Sequence, residues 1–219
     1  MRELSLLEAR ALGVLVEKAH TVPDSYPLSL NSLVSGCNQK TARDPVINAT
    51  DAEVQVAVDA LKSLSLAFES SGSRVSRYEH NMGRAMGLPS QSVALLAVLV
   101  LRGPQTSAEL RTNCERLHRF ADVSSVEAFL VELAERPAEK GGPLVVRLAR
   151  APGSREARWA HLLCGAVAAS AVQVDGDTDD FVATSELAAM KSQQAAMRNE
   201  IAELRALVDR LYSELGVNR

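Results

Sequence analysis

Ala11-Leu12-Gly13-Val14-Leu15-Val16 and Leu95-Leu96-Ala97-Val98-Leu99-Val100 are two versions of one apolar helix, and their recurrence decides the fold. Each is followed by the same succession of elements. A second short helix carries a Leu-x-x-x-Cys step, Leu33 to Cys37 and Leu110 to Cys114. A third helix opens on a capping box, Thr50-x-x-Glu53 and Ser124-x-x-Glu127. In such a box the hydroxyl accepts from an amide of the first turn, and the glutamate reaches back to the cap amide. Two short β-prone runs close each unit, Leu66–Ser70 with Val75–His80 and Pro143–Ala149 with Glu156–His161. Runs of this kind around a turn read as hairpins. Residues 5–80 and 90–161 thus each spell helix–helix–helix–hairpin, the outline of a winged helix. The expected fold is mainly α with small β-hairpin wings (α+β): two tandem winged-helix domains followed by a C-terminal coiled-coil helix.

Periodicity refines this outline. Ser5 and Glu8 cap the first helix, and Pro23-Asp24-Ser25-Tyr26-Pro27 ends it in a turn. Val54, Ala57, Val58, Leu61 and Leu64 form the inward stripe of the first unit's third helix. The expected domains are residues 1–88 and 89–165, an acidic linker over 166–180, and a coiled-coil helix over 181–219. In that last segment Leu187, Met190, Gln194, Met197, Ile201, Leu204, Val208, Leu211 and Leu215 alternate by three and four residues. These are heptad a and d positions, and they predict a parallel homodimer. Glu186 with Lys191 and Glu200 with Arg205 supply matched flanking charges, and Gln194 is a polar a-position residue that sets register.

Composition narrows the function. The 219 residues carry a net charge of −3, unevenly placed. Lys plus Arg against Asp plus Glu is 9 to 10 over residues 1–88, 10 to 8 over 89–165, and 5 to 9 over 166–219. A phosphate-binding protein usually shows a stronger basic footprint. No apolar run approaches the roughly 20 residues of a membrane span, and Met1-Arg2-Glu3-Leu4 is not a signal sequence. Three separated cysteines argue against a disulfide framework, so a cytoplasmic location is expected.

The strings Pro23-Asp24-Ser25-Tyr26-Pro27-Leu28-Ser29-Leu30-Asn31 and Cys37-Asn38-Gln39-Lys40, with Arg43 and Pro45-Val46, carry a family resemblance. Gly72-Ser73-Arg74-Val75 with Tyr78 and His80, and Leu101-Arg102-Gly103-Pro104-Gln105-Thr106 with Glu109-Leu110-Arg111, belong to the same pattern. Over about residues 4–164 the chain resembles the YceH-like family of uncharacterised bacterial proteins. The resemblance implies two winged-helix domains and brings no established activity with it. Ala108 stands where the family has glycine, at the start of one helix.

Helix-led reading of the major groove is the usual docking mode of such domains. Here the outward residues of the third helices are Asp51, Gln55, Asp59, Lys62 and Ser63 in the first unit, and Glu127, Glu132 and Glu135 in the second. Those carboxylates would repel phosphates. The cations lie elsewhere: Arg74 and Arg77 on the first wing, Arg147, Arg150, Arg155 and Arg158 on the second, Lys40 and Arg43 before the third helix. Arginine suits phosphates and narrow minor grooves. The expected function is therefore a DNA-associated or transcription-regulatory dimer that binds through its wings and the helix 2–3 loop. The alternative is a protein–protein adaptor that uses the same domains without DNA.

Other chemistry finds little support. Cys114 with His118 and His161 with Cys164 share local faces, but no CxxC or HxxxH accompanies them, so no zinc site is expected. Asp175, Asp177, Asp179 and Glu186 match positions of a calcium loop, yet Asp180 replaces its essential glycine. A solvated linker is the plainer reading. No phosphate loop, nucleophile elbow or paired-histidine motif is present, so neither an enzyme nor a cofactor is expected.

Overall fold

The first apolar string lies in α1 (Leu6–Thr21) and the second in α5 (Ser90–Arg102). A computed structural model of the chain describes residues 2–70, 75–150 and 156–167. In the first repeat α1 is followed by β1 (Leu28–Ser29), α2 (Leu30–Cys37), α3 (Asp51–Ser63), β2 (Ala67–Ser70) and β3 (Arg77–His80). A short α4 (Met82–Met86) leads to the second repeat: α5, α6 (Ser107–Asn113), α7 (Val123–Ala134), β4 (Val145–Arg147) and β5 (Trp159–His161). The protein is mainly helical with two small antiparallel sheets, an α+β fold.

The helix starts follow from side-chain chemistry. Ser5 with Glu8, Thr50 with Glu53 and Thr106 with Glu109 form reciprocal capping boxes. In α7 the expected box from Ser124 to Glu127 does not form. Asp122 takes the cap instead, accepting from the Ser125 amide at 2.7 Å. A carboxylate is as good an N-cap as a hydroxyl, and its charge also suits the positive helix end. The Leu-x-x-x-Cys steps both point inward, for Leu33, Cys37, Leu110 and Cys114 are all fully buried.

The strands repeat as well. β3 sits between β2 and β1, with Tyr78 opposite both Glu69 and Leu28. In the second repeat β4 pairs with β5, and Trp159 also bridges Gln105 through bonds of 2.7 and 3.1 Å. Leu28 and Gln105 stand at the same place, one residue before the cap of α2 or α6. Both units therefore clip the chain before their second helix onto the last strand. That third strand was not anticipated in the sequence reading, because two residues carry no periodicity.

One apolar cluster runs through both repeats. Leu12, Leu15, Leu33, Leu61 and Leu66 join it from the first, and Leu95, Leu96, Leu99, Leu110 and Leu130 from the second. Each such burial contributes roughly 1.5–3 kcal/mol. α5 is buried continuously from Ser92 to Leu101, as befits a helix that is apolar on all sides. It lies against α1, where a Cβ on Gly13 would sit 3.1 Å from Leu101 Cγ. Close approach is also built into the first repeat, since a Cβ on Gly36 of α2 would lie 2.5 Å from Val14 Cγ1.

Candidate nucleic-acid interface

The segment between α2 and α3 is held by its own polar side chains. Asn38 clamps Ala49 across the loop, donating to its carbonyl at 2.8 Å and accepting from its amide at 2.7 Å. Arg43 folds inward from the same loop. Its Nη2 and Nη1 donate to the two carboxylate oxygens of Glu17 at 2.6 and 3.1 Å. Its remaining donors reach the carbonyls of Gly36 at 3.1 Å and Ala42 at 2.8 Å and the side-chain oxygen of Gln39 at 3.5 Å. The Arg43 side chain is 0% exposed. Burial works against the charge of Glu17, but bonding and attraction by Arg43, assisted by Lys18, hold its carboxyl below the ordinary range. Arg43 is thus an anchor of the loop and has no donor left for a phosphate. Lys40, three residues earlier, is exposed.

The sheet cations have different fates. Arg77 on β3 is exposed and rests one donor on the Pro27 carbonyl at 2.8 Å. Arg147 on β4 is exposed, with its guanidinium carbon 6.0 Å from the ring centre of Trp159 opposite. Arg150 is exposed beyond the end of β4. Arg158 reaches back to the second helix, donating to Glu109 at 3.3 Å and to the Pro104 carbonyl at 2.8 Å. Both members of that ion pair are about half exposed, so it holds Arg158 only weakly. Among the described residues no carboxylate pairs with Lys40, Arg77, Arg147 or Arg150. Arg74 and Arg155 lie outside the described residues, as do the heptad positions from Leu187 to Leu215 and the acidic stretch Asp175 to Glu186.

The third helices carry the charges expected of them. Asp51, Glu53 and Asp59 are exposed on α3, and Glu127, Glu132 and Glu135 on α7. Gln55 turns to its own domain, accepting from the Tyr78 hydroxyl at 3.1 Å and donating to Asp59 at 3.1 Å. Val56, 71% exposed, stands among the α3 carboxylates. Sequence reading had no signal for Glu17 and Glu109 as partners of Arg43 and Arg158, because 26 and 49 residues separate the pairs.

Cys114 and His118 have different surroundings. Cys114 is buried, its thiol pushed up to about 12 by desolvation, and it points at the Ala94 carbonyl. His118 stacks edge-on against Phe120. Among the described residues no three His, Cys, Asp or Glu side chains are grouped so as to hold a metal ion. Nor is any of their helices long and apolar enough to cross a membrane.

A family model described as "Protein of unknown function, DUF480" matches residues 4–154. The chain is 61% identical over 218 residues to a UPF0502 protein of Burkholderia pseudomallei, covering 100% of this chain and 92% of the relative. A UPF0502 protein of Burkholderia multivorans is 63% identical over 219 residues, with the same two coverages of 100% and 92%. That of Leptothrix cholodnii is 60% identical over 220 residues, covering 99% of this chain and 97% of its own.

Proposed function

We propose that this chain, which belongs to the DUF480 family of proteins of unknown function, is a cytoplasmic, non-enzymatic DNA-associated regulator built from two winged helices. In this reading each β-hairpin is a wing, and the wings rather than the third helices meet the nucleic acid. The heptads from Leu187 to Leu215 join two copies, so that weak contacts add by avidity. The winged-helix assignment draws support from the matching clips, Leu28 to Tyr78 and Gln105 to Trp159. The observation that carries the DNA reading is the division of charge. Arg77, Arg147 and Arg150 are exposed and pair with no carboxylate among the described residues, while α3 and α7 present acids to solvent.

A fluorescence-polarisation titration with mixed-sequence duplex DNA over a salt series tests it. Binding should be micromolar or tighter at low salt and weaken linearly in log–log form. Replacing Arg147 and Arg150 by alanine should flatten the slope by roughly 0.9 for each lost phosphate contact. Absence of binding at low salt would refute the proposal. A second reading, a protein-interaction adaptor, is favoured by Val56 among the α3 carboxylates, an apolar centre with an acidic rim. It predicts that Val56→Glu abolishes capture of a basic partner protein and leaves DNA behaviour unchanged.

A further inference from the structure

Where the two repeats meet, the start of α1, the segment 44–49, the end of α5 and the end of the second sheet surround a cavity of about 470 Å³. That volume lies within the range of small-molecule sites. Its walls are mostly apolar, with Leu7, Ala9, Ile47, Val100 and Pro104 among them. Arg10, His161 and Cys164 also line it.

Arg10 is 4% exposed. Its Nη2 donates to the Pro45 carbonyl at 2.7 Å and its Nη1 to the Cys37 carbonyl at 3.3 Å, while Nε is buried without a partner. Among the described residues no carboxylate pairs with it. Of the charged groups that act on it, Arg43 has the same sign and is already held by Glu17, and Asp44 is an exposed residue that makes no ion pair with it. Glu53, also on the lining, is committed to the Thr50 cap. Buried charges are ordinarily paired. Arg43 obeys that rule in the same neighbourhood, and Arg10 faces a cavity instead. His161 has a buried Nδ1 with no partner, and burial keeps its imidazole neutral, with the pKa lowered to about 4. A neutral imidazole offers one donor and one acceptor to a ligand.

We propose that this cavity binds a small amphipathic carboxylic acid, with the carboxylate answering Arg10 and the apolar body lying along Leu7, Ile47 and Val100. Because its walls come from both repeats, occupancy stabilises their packing by mass action. Its lining holds none of the cations proposed to meet DNA, so it stands or falls separately from DNA binding.

The test uses the full chain and a panel of monocarboxylates from benzoate through octanoate to indole-3-acetate. The matching primary amides and tryptamine serve as neutral and cationic controls. Binding is read by thermal shift and by protection of Cys164 from N-ethylmaleimide. Cys164 is the partly exposed cysteine, whereas Cys37 and Cys114 are buried. At least one carboxylate should raise the Tm, slow Cys164 modification, and bind about tenfold or more tightly than its amide, the scale of a charge-assisted hydrogen bond. Arg10→Met should erase the preference for carboxylate over amide. Ile47→Trp, which fills the cavity and leaves Arg10 in place, should abolish binding and decides the matter if Arg10→Met fails to fold. No shift and no protection from any carboxylate at millimolar concentration would overturn the proposal. So would equal binding of the amides, preference for tryptamine, or undiminished binding by Ile47→Trp.

Discussion

Replacing Glu17 by methionine tests whether the loop before α3 is held by a buried ion pair. The substitution keeps the side-chain length and removes the two carboxylate oxygens that accept from Arg43, at 2.6 and 3.1 Å. Deleting one member of a buried pair costs about 3–5 kcal/mol, because the other charge is left uncompensated. The lower end applies here, since Glu17 is 16% exposed and water can reach its place. A loss of about 3 kcal/mol is expected, which for a chain of this size lowers Tm by about 6–12 °C. Arg43→Met should also be costly, as the Gly36 and Ala42 carbonyls lose their donor. The double variant should cost less than the sum, with a coupling of about 1–3 kcal/mol. Acid supplies an independent check. The folded pKa of Glu17 lies below its unfolded value of about 4.3. The pair therefore contributes fully above that unfolded value, and its contribution is lost as pH falls through the folded pKa. Urea unfolding at several pH values measures all of this. A Glu17→Met loss below about 0.5 kcal/mol, the size of an ordinary surface substitution, would refute the reasoning, as would strict additivity.

Two further predictions follow from packing and titration. Gly36→Ala places a Cβ 2.5 Å from Val14 Cγ1; overpacking of about 1–3 kcal/mol should outweigh a helix-propensity gain of up to about 1 kcal/mol, so thermal unfolding should show a lower Tm. His161 is half-buried, its Nδ1 fully so, and desolvation lowers its pKa to about 4, against about 6.5 when unfolded. The unfolded chain then binds the extra proton between those values, so stability falls as pH descends from 6.5 towards 4. His161→Phe should reduce the drop in unfolding free energy between pH 7 and pH 5, and an unchanged drop would contradict the burial argument.

What could be read from the chain was local. Capping residues, the Leu-x-x-x-Cys step and the 3.6-residue stripes act within one helix, so the succession of three main helices in each repeat and the inward face of α3 were legible. The acidic faces of α3 and α7 were legible for the same reason, for whatever does not join the apolar stripe is left to solvent. The α7 cap was misplaced by two residues because Asp122 and Ser124 are both good caps and only the chain path chooses between them. Lys40 and Arg43 looked equivalent in sequence, three residues apart in one polar loop. Tertiary structure separated them by bringing Glu17 from α1 against Arg43.

The sequence by itself determined that this protein repeats a three-helix unit with a pair of short strands, and which helix faces are apolar. Those properties depend on residues a few positions apart. Only the tertiary structure decided that one apolar cluster spans both repeats, that Arg43 is an internal anchor, and that Arg10 and His161 share a cavity. Each of these depends on groups brought together from distant parts of the chain, and their burial sets the electrostatics that spacing alone does not encode.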